Sequence, residues 1–139
     1  MRVILFQDRF AGKVRDGSKP HTIRKTARCK PGDTLSLRRW TGKPYRSKQA
    51  VLREAVCAAV TPIEINRFGA DLGDVFVHCP DTLARNDGFS GWPEMREWFE
   101  QTHGLPFHGF VIEWSNAAGE VRRPTRRPYE RDKRTAGRR

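Results

Sequence analysis

The chain has 139 residues, the length of one domain, with 27 Lys and Arg against 16 Asp and Glu, a net charge of +11 and a pI near 10.4. That balance predicts a polyanionic partner, nucleic acid first. No apolar run is long enough to span a bilayer and no signal-peptide pattern stands out, so the chain is read as working away from membranes.

Residues 3–6, Val3-Ile4-Leu5-Phe6, predict a short buried strand from their apolar, β-branched run. Residues 8–16 predict a short helix, with Phe10 and Val14 at i, i+4 and Gly17 as its stop. Residues 22–24 predict a second strand. Lys30-Pro31-Gly32-Asp33 predicts a tight turn, and the alternation Thr34-Leu35-Ser36-Leu37-Arg38 a half-buried strand. Residues 41–47 read as a polar loop. Residues 51–60 predict a strand that Pro62 ends, and 62–65 and 74–77 predict short strands around a glycine-containing loop.

Residues 81–85 predict a helix or turn, followed by a turn at Asn86-Asp87-Gly88-Phe89. A helix from 90 to about 103 is predicted by Pro93 and Glu94 in its first turn and Gly104 after its end. Trp92, Met95, Trp98 and Phe99 mark one face of it, read as core rather than as a base-stacking platform. Residues 107–114 predict the last strand. Beyond it Arg, Pro and Gly replace the apolar residues, dividing the chain into an ordered domain over 1–116 and a basic, disordered tail over 117–139. The whole is an α+β pattern, a small mixed or closed sheet with helices at its ends.

Charge is concentrated. Ten Lys and Arg lie between residues 19 and 48 against Asp33 alone, and nine lie in the tail against three acids, leaving a net acidic remainder. Trp40 and Tyr45 are interleaved with Arg38, Arg39, Lys43, Arg46 and Lys48, a pattern that fits bases stacked beside phosphates and equally fits aromatic loop anchors. Cys29, Cys57 and Cys79, an odd number at irregular spacing, predict reduced thiols in a cytoplasm. His78-Cys79 has no second spaced pair, so no metal site and no cofactor are expected.

The segment Gly17-Ser18-Lys19-Pro20-His21-Thr22-Ile23-Arg24-Lys25 carries the densest chemistry. On a strand Thr22 and Arg24 share one face and Ile23 the other, and Lys19 can fold back over the first. Ammonium, hydroxyl and guanidinium together suit an anion or a polar heterocycle. A lysine desolvated beside other cations has a lowered pKa and can serve as a base. The same pattern also describes a solvated edge strand.

The order Gly17-x-Lys19-x-x-Thr22-Ile23-Arg24, Pro31-Gly32-Asp33-Thr34-Leu35, Asp87-Gly88-Phe89, a helix, and Phe110-Val111-Ile112-Glu113-Trp114 resembles the ASCH domain over about residues 1–115. The stretch from Trp40 to Lys48 is similar to versions in phage-encoded members. The resemblance implies a PUA-like β-barrel of five to seven strands with flanking helices, in a bacterium or a phage-infected host cell, acting as a monomer on RNA, single-stranded nucleic acid or a modified nucleoside. Its small amidohydrolases remove the acetyl group of N4-acetylcytidine. Lys19 then matches their base and Thr22 their nucleophile. Asp87, one methylene shorter, stands where they have a glutamate, and Arg24 or a backbone N–H would hold the oxyanion. Lys19 and Thr22 are expected to be partly exposed, so that replacing them costs little stability. Other ASCH proteins are ribonucleases or plain RNA binders, so the resemblance leaves three activities open: amide hydrolysis, binding without chemistry, and RNA cleavage.

Overall fold

The computed structural model describes residues 1–116; the predicted tail over 117–139 lies outside the described residues. In chain order the elements are β1 (Arg2–Leu5), α1 (Asp8–Asp16), β2 (His21–Arg24), β3 (Thr34–Trp40), β4 (Gln49–Asn66), β5 (Gly69–Leu72), β6 (Val75–His78), α2 (Asp81–Asn86), α3 (Trp92–Thr102) and β7 (Phe107–Asn116). The fold is α+β: a seven-stranded mixed sheet with helices packed on it.

The spine is β4. From Ala55 to Ile65 its burial alternates strictly, with Ala55, Cys57, Ala59, Thr61, Ile63 and Ile65 inward, the period-two signature of a strand with one covered face. Along one edge it pairs with β7, antiparallel. Along the other it pairs first with β3 and then with β5. Parallel β1 extends β3, β6 extends β5, and β2 pairs with β7. Because β1, β2 and β6 each have a single ladder partner, the sheet is not closed into a barrel.

Pro62 does not end the strand. The Pro62 carbonyl accepts from the Gly73 N–H, on the side of β4 away from β7. A residue's N and O point to the same side of a strand, so the missing donor falls where β3 has ended and β5 has only begun. No ladder bond to β7 is lost. The glycine-containing loop expected after it is in fact β5, hairpinned to β6.

Helix α1 has the predicted bounds and buries Phe10, Ala11 and Val14. Gly17, at φ 88°, ends it with its N–H on the Val14 carbonyl. Helix α3 buries Trp92, Met95 and Phe99, as its apolar face predicts. Glu94 starts it, accepting the Ser90 N–H at 2.7 Å and pairing with Arg9 at 2.9 Å.

Candidate functional site

Lys19 follows the stop of α1, and its N–H returns to the Lys13 carbonyl, folding the chain under the helix. Asp87 follows α2, its own N–H donating to Leu83 and Ala84 carbonyls. The two meet. Lys19 Nζ donates to Asp87 Oδ1 at 2.8 Å and to the Asp87 carbonyl at 2.6 Å. Lys13 Nζ donates to the next carbonyl, Gly88, at 3.0 Å, so two lysines of one segment clamp the 87–88 turn. Gly88 sits at φ 104°, and a Cβ there would lie 2.6 Å from Phe10 Cδ1. Only glycine allows both that turn and that approach of α1.

On β2, Arg24 Nε donates to Thr22 Oγ1 at 3.1 Å and Arg24 Nη2 to the Leu5 carbonyl at 2.7 Å. Thr22 and Arg24 therefore share a face, as strand alternation requires. Lys19, Thr22, Arg24 and Asp87 together line one cavity of about 190 Å³. Its other walls are mostly aromatic: Phe6 and Phe10 from the β1–α1 segment, Phe89, then Trp98, Phe99 and His103 from α3 and its end. Lys19 Nζ stands 4.9 Å from the Phe10 ring and the Arg24 guanidinium 5.0 Å from the Phe6 ring. Cationic, hydrogen-bonding groups and aromatic rings thus line the same cavity, with Lys19 and Arg24 set against ring faces.

Lys19 and Thr22 are buried, 2% and 4% exposed, against the expectation of partial exposure. β2 is covered on both faces: His21 and Ile23 are buried as well. Among the described residues β2 is an edge strand, paired with β7 alone, but the reading of it as a solvated one falls for the same reason. Burial pushes the Lys19 ammonium below the usual lysine range; the Asp87 charge opposes it, and Arg24 and Lys13 add smaller pushes downward. Desolvation, not the neighbouring cations, leads. Burial likewise pushes the Asp87 carboxyl above its usual range, against the Lys19 and Arg24 charges. Both partners are driven toward their neutral forms.

The remaining candidates divide. Lys25 reaches the cavity wall. Arg38, Arg39, Trp40, Lys43, Tyr45, Arg46 and Lys48 do not; they belong to the β3–β4 hairpin. There Arg38 donates to Ser36 Oγ and Gln49 Oε1, and Arg39 to the Trp40 carbonyl. Lys43, Arg46 and Lys48 are exposed, and the Trp40 and Tyr45 rings pack 5.1 Å apart. Sequence reasoning missed the aromatic wall, His103 within it, and His21, whose Nε2 is 3.5 Å from Asp87 Oδ1. Trp98 and Phe99 do carry a signal, the apolar stripe of α3, but a stripe reads as core whether or not a cavity opens beside it. Burial, then the Lys25 charge, holds the His103 imidazole below its usual range.

Among the described residues no group of three or more His, Cys, Asp and Glu side chains is placed to hold a metal ion, and no helix is long and apolar enough to cross a membrane. No protein family, no curated protein and no solved structure matches this chain.

Proposed function

We propose that the chain is an ASCH-like, PUA-like protein that takes a pyrimidine base into the cavity behind β2 and hydrolyses an N4-acyl group from it. The observation that carries this reading is that Lys19, Thr22, Arg24 and Asp87 line one cavity whose other walls are mostly aromatic. Flat aromatic walls suit a heterocycle, and the polar groups among them suit its exocyclic amide. A neutral lysine amine has two N–H bonds and one lone pair. Both bonds seen here run to Asp87, which orients the amine and leaves the lone pair for a proton. In the step proposed, Lys19 takes the Thr22 hydroxyl proton as Oγ1 attacks the acyl carbonyl. Arg24, whose Nε donates to the Thr22 oxygen, turns a guanidinium N–H to the former carbonyl oxygen, where the oxyanion develops. Collapse breaks the C–N bond, and Lys19 returns the proton to the leaving N4 amine. Water then hydrolyses the threonyl ester, releasing the acid and free Thr22.

A nucleic-acid-binding module without chemistry is the second reading, favoured by the exposed Lys43, Arg46 and Lys48 beside the packed Trp40 and Tyr45. RNA cleavage is the third reading. The test is loss of the acetyl group from N4-acetylcytidine by the purified protein. Turnover by the wild type, an acyl adduct on Thr22 by mass spectrometry and none with Thr22→Ala are expected. Full turnover by Thr22→Ala removes the covalent step; no turnover by the wild type on any N4-acylated cytidine removes the amidase and leaves binding or RNA cleavage.

A further inference from the structure

A second depression adjoins the base cavity. It encloses about 540 Å³ between β1 and the segment leaving β2. Arg2, Arg24, Lys25 and Arg28 supply its charge, and among the described residues no Asp or Glu lines it. Arg24 and Lys25 line both spaces, so they form the junction. Tyr45, also in its wall, is 86% exposed and held at φ 65° with its ring against Trp40. A positive φ is uncommon for a bulky residue, and here it accompanies an aromatic ring presented to solvent rather than to the core.

The base cavity, about 190 Å³, is smaller than the roughly 300 Å³ at which small-molecule sites begin. It holds a base and leaves the sugar outside. What lies outside meets four cations and, among the described residues, no acid, a field to which an uncharged nucleoside offers nothing. We infer that the base enters from a single strand of nucleic acid, whose flanking phosphodiesters lie between Arg2, Lys25 and Arg28 and whose neighbouring base stacks on Tyr45. This rests on the reading that the cavity takes a base. A single strand suits it because a paired base would first have to leave its stack.

The test is fluorescence anisotropy of the full chain with end-labelled single strands of about ten nucleotides, RNA and DNA in parallel, over a salt series. Arg2→Gln with Arg28→Gln should make the slope of log K against log salt shallower by about 1.4, two phosphates at about 0.7 each on a single strand. Arg67→Gln with Arg96→Gln removes the same charge from exposed residues that do not line the groove and should leave the slope unchanged. Tyr45→Ala should weaken binding about tenfold. The arm that binds more tightly identifies the strand as RNA or DNA. Equal slopes for the wild type and the Arg2/Arg28 variant overturn the inference, as do equal losses from both pairs or tighter binding to duplex than to either single strand. Turnover of free N4-acetylcytidine, measured alongside, keeps the two readings apart. Groove-dependent binding without turnover keeps the strand and removes the amidase; turnover with groove-independent binding does the reverse.

Discussion

Replacing Lys19 by methionine should cost more stability than a surface lysine ever does. The side chains of Lys19 and Asp87 are 2% and 7% exposed, and the amine makes two hydrogen bonds to Asp87. Methionine fills most of the volume and leaves the carboxylate buried without its amine. Breaking a buried pair from one side costs about 3–5 kcal/mol, a fifth or more of the roughly 5–15 kcal/mol that holds a domain folded. At about 4 °C per kcal/mol for a domain of this size, Tm should fall by on the order of 10–20 °C. Asp87 can escape by taking a proton. Its folded pKa is raised by burial, so the folded state binds the proton more tightly, and the stability this lends is lost as pH rises through the folded value. In Lys19→Met the opposing charge is gone and that loss deepens. The variant should therefore be closer to wild type at about pH 5 than at about pH 8. Lys19→Met with Asp87→Asn removes the orphaned charge and should recover a large part of the difference. Urea unfolding followed by tryptophan fluorescence and far-ultraviolet dichroism at both pH values reads all three proteins. If Lys19→Met stays within about 1 kcal/mol of wild type at the higher pH, and the double variant is no better, the pair is not desolvated and the argument fails.

Asp87→Asn alone should give the opposite pH dependence: burial already lowers Lys19, and losing the Asp87 charge lowers it further. The unfolded chain then binds the extra proton, so stability should rise with pH up to the ordinary lysine value of 10.5; urea midpoints that do not move across that window refute it. Gly88→Ala should destabilise the domain by about 1–3 kcal/mol, because its Cβ meets the Phe10 ring at 2.6 Å and its φ is 104°; an unchanged Tm would show that the 87–88 turn is looser than described. Glu94→Ala should cost about 1 kcal/mol by freeing the Ser90 N–H at the start of α3, read by thermal unfolding. Deleting residues 117–139 removes nine cations and should flatten the salt dependence of oligonucleotide binding by several units without changing base preference. Equal slopes for the full and shortened chains would make the tail a bystander.

What could be read along the chain was what depends on near neighbours. The i, i+4 pair Phe10 and Val14 with Gly17 after it gave α1 its bounds, since a helix needs only one apolar stripe and a residue that accepts positive φ. The alternation at Thr22, Ile23 and Arg24 placed the hydroxyl and the guanidinium on one face, because side-chain direction on a strand has period two. The turn at Asn86-Asp87-Gly88 was legible from its residue types, although not what Asp87 would touch.

The tertiary structure decided the rest. Pro62 lies within β4 rather than after it, because whether a missing N–H matters depends on which strand lies alongside, and its nitrogen faces the edge that β3 has left and β5 has only begun to fill, not β7. β5 is a strand because β4 and β6 flank it; its four residues carry no pattern of their own. Lys19 looked like an exposed cation, as most lysines are. Only the packing of α1 over the 87–88 turn, 68 residues away, buries it against Asp87. The cavity has no local signature, since its walls come from the β1–α1 segment, β2, the turn after α2 and α3. Sequence by itself determined which groups are present and which way each strand residue points. Burial, and with it the protonation of Lys19 and Asp87, is a property of what the rest of the chain places around them.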